Sequence, residues 1–373
     1  MRIHLSRPDI TEAEIQAVCG VLRGPNLALG PKITEFEQAF ASYIGRRYAV
    51  AVNSGTSGLF LCMLAMGIGP GDEVITTPFT FIASATPIMM AGARPVFVDI
   101  DPVSLNMDPE KIESKISDKT RAVVPVEIFG NPAGMDRICE RAQKHNLGII
   151  EDSCEALGSA LNGKMVGSFG TMSVFGFYPN KQMTTGEGGM ILTDSEEPAD
   201  MCLSLRNQGR GKAGGWLAHE RLGYNFRISD INCAIGIVQL SRIEQIKAKR
   251  SRVAEWYREL LADDERLIVP GAGPGCDLSW FVFVVRLAKA DGQKRDKILQ
   301  AMLENGVQVS NYFPPVHLQP FMAEKYGYKT GDFPITEAVC SSTIALPFYN
   351  NLGRDEVAQV CTTLKRCLDR IYS

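Results

Sequence analysis

Short apolar segments alternate with longer amphipathic segments over most of the first 235 residues of this 373-residue chain. Runs of this length, bounded by turn residues, are typical of buried strands, whereas apolar positions at helical spacing predict helices. The predicted strands cover residues 48–53, 73–78, 95–100, 122–130, 147–152, 171–178 and 189–194, and the predicted helices cover 11–22, the later part of 24–45, 55–67, 81–92 and 135–146. This order predicts an α/β fold with a mainly parallel sheet and helices on both faces.

After about residue 235 the pattern changes. Residues 240–262 predict one long amphipathic helix, with an apolar face formed by Leu240, Ile243, Ile246, Val253, Tyr257 and Leu260. A strand over 279–287 and helices over 294–306 and 355–371 follow it. We therefore predict a large α/β domain with an N-terminal helical arm over residues 1–245 and a smaller C-terminal α/β domain over residues 246–373.

Composition excludes several classes of protein. The chain is 45% hydrophobic and 22% charged with a formal net charge of -3, and it lacks a block of like charges that would bind nucleic acid or an anionic membrane. Its first residues lack the apolar core of a signal peptide, and no apolar stretch is long enough to span a bilayer. The ten cysteines show no metal-ligand spacing, so we expect reduced thiols, no metal site and a cytoplasmic location.

Two segments point to a ligand at the edge of the predicted sheet. Asp152 follows an apolar strand, where open α/β sheets bind ligands, although it could equally cap the next turn. After the strand ending at Asn53, the run Ser54-Gly55-Thr56-Ser57 opens a helix, whose first backbone N–H groups can bind an anion. Ser and Thr are also common helix caps, so this second signal is weak alone.

Lys181 makes the combination specific. It stands in "YPNKQMTTGEGG", between an aromatic strand end and a glycine-rich turn, surroundings that hold and aim an amine. A lysine, a strand-end acid and a helix-end anion site in one α/β chain predict pyridoxal phosphate, bound through Lys181, Asp152 and the helix end. Neither a phosphate-binding Walker loop nor a dinucleotide fingerprint is present, which disfavours an oxidoreductase.

The chain resembles the DegT/DnrJ/EryC1/StrS family of sugar aminotransferases, which are fold-type I pyridoxal phosphate enzymes, over essentially its whole length. The motifs that carry the resemblance are "LALGPKITEFEQAFASYIG", "NSGTSGL", "DEVITTPFTFIASA", "VPVEIFGNPAGMD", "EDSCEALGS", "YPNKQMTTGEGGMILT", "GYNFRISDINCAIG" and the looser "YFPPVHLQP".

The resemblance implies a role for each of several residues. Lys181 would bind the cofactor covalently and move the proton, and Asp152 would pair with the pyridinium nitrogen. The other cofactor contacts would be Gly55, Thr56 and Ser57 at the phosphate, Phe81 stacked on the ring, Glu155 near the phenolic oxygen, and Asn225 at the phosphate of the neighbouring subunit of a homodimer. Arg227 and His317 would lie near the nucleotide-sugar. From pattern alone, Phe81 is more simply a core aromatic, Glu155 a solvated helix residue and Asn225 a turn residue, and Arg227 and His317 fit structural contacts equally well.

Two positions depart from the family pattern. Gly176 stands where many relatives have a serine that contacts the phosphate, so that contact is replaced or absent. Glu127 stands where relatives often have histidine, a change that we interpret as altering polarity on the substrate side. Lys181 itself argues against the family branch in which histidine replaces the lysine and the enzyme dehydrates sugars.

The expected function is transfer of an amino group from an amino acid, L-glutamate, to a keto carbon of a nucleotide-linked deoxysugar. The form of the lysine motif favours C4 over C3 of the sugar and a place in surface polysaccharide or deoxysugar biosynthesis. The competing interpretations are a non-catalytic regulatory or binding protein of the same family and the sugar dehydratase.

Overall fold

A computed structural model of the chain describes residues 2–211 and 218–372. The helices of these ranges are α1 (Glu12–Leu22), α2 (Pro31–Ile44), α3 (Gly55–Ala65), α4 (Thr86–Met90), α5 (Pro109–Ile112), α6 (Met135–Lys144), α7 (Glu196–Arg206), α8 (Asp230–Ser241), α9 (Ile243–Leu261), α10 (Gly292–Glu304), α11 (Pro320–Tyr326), α12 (Pro334–Cys340) and α13 (Arg354–Tyr372). The strands are β1 (Tyr48–Val52), β2 (Glu73–Thr76), β3 (Arg94–Phe97), β4 (Thr120–Val123), β5 (Gly148–Asp152), β6 (Ala160–Leu161), β7 (Lys164–Met165), β8 (Met172–Gly176), β9 (Gly189–Thr193), β10 (Leu267–Ile268), β11 (Cys276–Asp277), β12 (Phe283–Leu287) and β13 (Thr343–Leu346).

Seven strands form the main sheet, in the order β1-β9-β8-β5-β4-β2-β3. The five strands from β8 to β3 run parallel to one another, whereas β9 is antiparallel to both of its neighbours. The mainly parallel α/β sheet predicted from the sequence is therefore confirmed.

Side chains that alternate along β8 pack on opposite faces of the sheet, as a strand requires. Phe175 joins a cluster with Phe36 and Phe40 of α2, while Met172 and Val174 join a cluster with residues of α3 and α7. Both faces are thus covered by helices, and the ends of the parallel strands remain the places where loops can form a site.

The N-terminal helices begin and end where their sequences dictate. Thr11 and Glu14 form a reciprocal capping box at the start of α1. Pro31 occupies the first turn of α2, and Gly45 ends that helix with φ of +81°, a conformation that favours glycine. These signals explain why the predicted and observed bounds agree here.

A second core lies around the antiparallel sheet β10-β12-β13, which packs against α9, α10 and α13. Tyr257 of α9 stacks on Phe283 of β12 with ring centroids 4.8 Å apart, and both are fully buried. The predicted boundary at residue 245 falls inside α9, so this helix belongs to both sides of the division. The division into 1–245 and 246–373 stays a prediction.

The structure corrects three predicted elements. The long helix predicted over 240–262 is two helices, because Arg242 between α8 and α9 leaves the helical conformation and binds Glu14 at 2.5 Å. The helix predicted over 81–92 is a short 3-10 turn followed by α4, which starts next to Pro87. The strand predicted over 122–130 ends at Val123 and continues only as an isolated bridge between Val126 and Asp152.

Among the described residues, no helix combines the length and the apolar character needed to cross a bilayer. Ranges 2–211 and 218–372 likewise contain no group of three or more His, Cys, Asp or Glu placed to hold a metal ion.

Candidate active site

A cavity of about 740 Å³ opens at the carboxyl ends of the parallel strands. Six of the predicted cofactor contacts line it: Gly55, Thr56, Phe81, Asp152, Glu155 and Lys181. Residues from the C-terminal part of the chain also line the cavity, among them Phe281, Tyr312, Phe313 and Phe321. The cavity thus brings together charged, polar and aromatic side chains from segments that lie far apart in sequence.

Lys181 lies on the loop between β8 and β9. The loop is closed at its base, where the N–H of Phe177 donates to the carbonyl of Gly188 at 2.9 Å, and the N–H of Lys181 donates to the carbonyl of Tyr178 at 2.9 Å. The amine Nζ lies 3.6 Å from Glu155 Oε1 and 4.0 Å from the centroid of the Phe281 ring. The side chain of Lys181 is only 15% exposed, so the amine is held inside the cavity by an anion and an aromatic face.

Asp152 ends β5 and is 5% exposed. Its Oδ2 accepts a hydrogen bond of 2.6 Å from the Ser84 hydroxyl, which also lies 2.7 Å from the Thr80 hydroxyl. The Ser84 hydroxyl thus orients the carboxylate, and Thr80 in turn contacts Ser84. A carboxylate fixed in this way can pair with a protonated ring nitrogen.

Glu155 is almost fully buried, and its Oε2 accepts a hydrogen bond of 2.9 Å from the N–H of Phe129. Burial raises the pKa of Glu155, and Lys181 and the N–H of Phe129 offset this only in part. The sequence suggested a solvated helix residue as the simpler alternative for Glu155, and its burial in the cavity wall contradicts that alternative.

Two of the three residues predicted to hold an anion at the start of α3, Gly55 and Thr56, line the cavity. The Ser54 hydroxyl caps the helix by accepting from the N–H of Ser57 at 3.1 Å, and Ser57 does not line the cavity. Because the first N–H groups of a helix have no partner within it, those of Gly55 and Thr56 are the ones placed for a phosphate. Ser54, not Ser57, supplies the third residue of the cavity wall here.

The start of α3 at residues 54–56, which we call the phosphate cradle, contains and contacts glycines because backbone segments approach closely there. A Cβ on Gly189 would lie 2.7 Å from the carbonyl carbon of Ser54, and a Cβ on Gly55 would lie 2.7 Å from the Cys154 sulfur. Neither contact is possible without displacing neighbouring atoms, so both positions require glycine. The glycine-rich sequence after Lys181 thus lets β9 pack against the start of α3.

Phe81 is not a core aromatic. Its side chain is 57% exposed at the cavity, and its ring centroid is 6.2 Å from that of Phe313. An exposed ring beside Asp152 and Lys181 presents a face on which a planar group can stack.

Besides Ser57, three predicted residues do not line the cavity in the single chain. Asn225 is exposed in a surface segment and pairs with Asn207 through its backbone, and Arg227 donates to the Asn207 side chain at 2.9 Å. His317 is fully buried, contacts Glu337 at 3.1 Å and packs edge-on against Phe333. Burial lowers the pKa of His317, and a role for it near the nucleotide-sugar stays a prediction.

Glu127 also lies elsewhere than the sequence suggested. It is fully buried and does not line the cavity, so it cannot set the polarity that a substrate meets. Gly176 does line the cavity, and a Cβ there would lie 3.3 Å from the Cys154 sulfur. Cys154 therefore occupies the space next to Gly176, the position at which the family resemblance implies a serine.

Sequence reasoning missed Ser84, Phe281, Tyr312 and Phe313. Ser84 lies within a quoted motif, and its spacing from Phe81 could have placed it at the cavity. The three aromatic residues stand in ordinary apolar or proline-flanked segments, and no local signal distinguishes them from core residues.

The residues present fit pyridoxal phosphate. The fit rests on the amine of Lys181 inside the cavity, the Asp152 carboxylate held by Ser84, the exposed ring of Phe81 and a helix start that glycine keeps accessible. Together these groups match a carbonyl, a basic ring nitrogen, an aromatic ring and a phosphate on one ligand.

Comparisons with known proteins agree with this geometry. The family model of the DegT/DnrJ/EryC1/StrS aminotransferase family matches residues 8–365. The chain is 39% identical over 344 residues to the GDP-perosamine synthase of Caulobacter vibrioides, covering 91% of each chain, and 38% identical over 371 residues to the spore coat polysaccharide biosynthesis protein SpsC of Bacillus subtilis, covering 96% of this chain and 95% of that protein. The PLP form of a putative sugar aminotransferase from Streptococcus pneumoniae superposes with a TM-score of 0.95 at 28% identity, over all of both chains. The chain therefore belongs to the DegT/DnrJ/EryC1/StrS aminotransferase family and is a sugar aminotransferase that depends on pyridoxal phosphate.

Proposed function

We propose that the protein transfers the amino group of L-glutamate to the C4 keto carbon of a nucleotide-linked deoxysugar, for surface polysaccharide or deoxysugar biosynthesis in the cytoplasm. The similarity to a GDP-perosamine synthase supports the nucleotide-sugar acceptor and the C4 position. The similarity to a spore coat polysaccharide biosynthesis protein supports the pathway class.

One observation carries the proposal: the amine of Lys181 and the carboxylate of Asp152 line the same cavity, each held by partners of its own. When bound, the cofactor supplies an electron sink that makes a proton on an amino-bearing carbon removable. Lys181 Nζ is the group placed to bind the cofactor and to take up and return that proton. Asp152 would stabilise positive charge at the ring nitrogen, and Phe81 would orient the ring by stacking on it.

The aromatic residues of the C-terminal segments serve a second purpose. Tyr312 and Phe313 stack on each other with ring centroids 4.8 Å apart, and Phe313 also packs against Phe81. They form an apolar wall opposite the sheet edge that excludes water from the reacting atoms. Exposed Phe321, at the same wall, is placed to contact the sugar or its nucleotide.

We further propose a homodimer in which Asn225 of each chain completes the phosphate site of its partner. In support of this, Asn225 is exposed and outside the cavity of its own chain, while the phosphate cradle begins at Ser54, whose neighbour Asn53 donates to the carbonyl of Phe226 at 2.9 Å. The segment that bears Asn225 thus lies next to the cradle without contributing its side chain there.

The decisive experiment converts the protein to its pyridoxamine form with L-glutamate and then offers a panel of keto-sugar nucleotides that differ in base and in C3 or C4 position. Recovery of the visible absorption band identifies the acceptor, and NMR of the product locates the new amine. We expect recovery with a 4-keto-6-deoxysugar nucleotide and none with the 3-keto isomer.

Borohydride reduction followed by peptide mass analysis provides the control, since it should place the cofactor on Lys181. The Lys181→Ala variant should bind pyridoxal phosphate without the visible absorption band of the covalently attached form. Cofactor on another lysine would overturn the assignment of the site, whereas recovery with the 3-keto sugar alone would overturn only the regiochemistry.

A further inference from the structure

A carboxyl group that the reaction does not contact lies next to Asp152. Val126 forms a parallel bridge with Asp152, and the N–H of Asp152 donates to the carbonyl of Pro125 at 2.9 Å. Glu127 is the next residue on this segment and is fully buried. Within the described ranges, both of its carboxyl oxygens and the adjacent Ser153 hydroxyl lack a hydrogen-bond partner.

The two neighbouring buried acids, Glu151 and Asp152, do have hydrogen-bond donors. Glu151 accepts hydrogen bonds from the backbone N–H groups of Gly167, at 2.8 Å, and Gly170. Asp152 accepts from the Ser84 hydroxyl at 2.6 Å. Because a buried negative charge needs donors, the group without donors is the one that should be neutral.

We propose that Glu127 holds a proton in the folded protein and, as a neutral positioning residue behind Asp152, keeps a second negative charge away from the carboxylate that faces the ring nitrogen. The functional part of this inference rests on the role proposed above for Asp152. A charged Glu127 would place a second negative charge beside the Asp152 carboxylate in a poorly solvated site, where like charges repel. Asp152 must stay anionic to stabilise positive charge on the ring.

The electrostatic surroundings agree with this assignment. Burial raises the pKa of Glu127 well above its ordinary range, and the nearby carboxylates of Glu151 and Asp152 raise it further. Burial raises the pKa of the Cys139 thiol on α6 to about 12, so this thiol, which interacts electrostatically with Glu127, carries no charge. The nearby Ser153 hydroxyl acts in the opposite direction, and the pKa of Glu127 stays raised in spite of it.

The sign of the pH effect follows from this. The unfolded chain loses the Glu127 proton above the ordinary glutamate range, while the folded chain keeps it, so the folded state binds more protons and stability falls as the pH rises. Glu127→Gln cannot ionise and should remove this fall. The difference in melting temperature between Glu127→Gln and wild type should therefore grow steadily from about pH 5 to about pH 9.

The experiment uses the cofactor-free full chain, so that it does not depend on the proposed reaction. Infrared difference spectra should show the carbonyl band of a protonated carboxylic acid at neutral pH that is absent in Glu127→Gln. Glu127→Asp, which keeps an acid of shorter reach, should retain both the band and the pH-dependent stability loss. Glu155→Gln alters another buried carboxyl and should leave the Glu127 band in place.

These variants separate a proton-holding role from packing alone. If Glu127 only fills space, Gln and Asp should change stability without a pH-dependent difference between them. The proposal is overturned if the wild-type band is unaffected by Glu127→Gln, or if Glu127→Gln loses stability relative to wild type as the pH rises. Failure of the keto-sugar assay would leave these readouts unchanged, which keeps the two proposals separable.

Discussion

The Ser84 hydroxyl donates a hydrogen bond of 2.6 Å to Asp152 Oδ2 and links the start of the segment after β2 to the end of β5. This bond fixes the carboxylate that we assign to the ring nitrogen. The motif "PFTFIASA" therefore contributes twice to the site, through the ring of Phe81 and through Ser84, three residues later.

Ser84→Ala should weaken the reaction by about tenfold or more, because a hydrogen bond to a charged group contributes about 1.5–3 kcal/mol. The measurement is kcat/KM for the half-reaction with L-glutamate, together with the affinity for pyridoxal phosphate. Thr80→Val is the matched control, since Thr80 contacts Ser84 and makes no hydrogen bond to Asp152 among the described contacts. Equal losses in both variants would show that the hydroxyl pair matters for packing and not for the carboxylate.

Gly176 and Cys154 should behave as a coupled pair. A serine at 176 could add a donor to the phosphate, but its Cβ would meet the Cys154 sulfur at 3.3 Å, which is tighter than an ordinary contact. In a Cys154→Ala background, Gly176→Ser should tighten pyridoxal phosphate binding by up to about 1 kcal/mol, or roughly fivefold. In the wild-type background, Gly176→Ser should increase the affinity for pyridoxal phosphate by less than this.

Equilibrium binding of the cofactor to the single and double variants measures this coupling. Gly176→Ala in the Cys154→Ala background supplies the Cβ without the hydroxyl and should give no gain. Equal effects of Gly176→Ser in both backgrounds would mean that the sulfur does not limit the space.

Mixed dimers test whether Asn225 acts across a subunit interface. Lys181→Ala removes the proposed attachment point of the cofactor, and Asn225→Asp would place a negative charge against the phosphate that we propose it contacts in the partner. Each homodimer should be impaired. After the two are unfolded and refolded together, heterodimers that carry both lesions at one site have an intact second site, so activity should reappear.

The control for this experiment is a tagged pull-down that demonstrates mixed dimers. If mixed dimers form and activity stays at the level of the separate variants, Asn225 acts in its own subunit or has no role at the phosphate.

The N-terminal helix should contribute an acid-sensitive part of the stability. Burial alone would raise the pKa of Glu14, but hydrogen bonds from Thr11, Gln239 and Arg242 outweigh it and lower the pKa from 4.5 to about 2. An acid whose pKa is lower in the folded protein than in the unfolded chain stabilises the fold at pH values above the unfolded-state pKa. This contribution is lost as the pH falls from about 4.5 towards 2. It amounts to at most about 3 kcal/mol.

Urea unfolding of wild type and Glu14→Gln at a series of pH values checks this expectation. The variant should be less stable at neutral pH, and the two curves should converge towards acid pH. Glu12→Gln, an exposed change in the same helical turn, is the control and should give a curve parallel to that of wild type.

The sequence predicts the main sheet well, because its strands are short apolar runs between turn residues and each pairs within one layer. It predicts less where tertiary contacts override a local pattern. The apolar periodicity of residues 240–262 is not interrupted at Arg242. In the structure, however, one helix ends and the next begins at Arg242, which forms ion pairs with Glu14 and Asp9. Pro125 and Pro87 shorten their elements because each removes a backbone donor.

The residues of the candidate site likewise fall into those that the sequence can predict and those that it cannot. Lys181, Asp152 and Gly55 could be found from the sequence because their chemistry depends on local signals, namely a strand end, a glycine-rich turn and a helix start. Phe281 could not, because the 4.0 Å contact with the Lys181 amine joins residues 100 positions apart in a segment that resembles any buried strand.

The pairing of Gly176 with Gly189 at the base of the Lys181 loop has a consequence for how the amine is aimed. A shift of β9 by one residue along β8 would turn its side chains to the wrong faces, and a shift by two residues would move one end of the loop by about 7 Å. That displacement is about twice the 3.6 Å that separates the amine from Glu155. The accuracy with which the lysine meets its target is therefore set by the register between two strands, and substitutions far from the cavity that loosen this register should degrade catalysis before they unfold the protein.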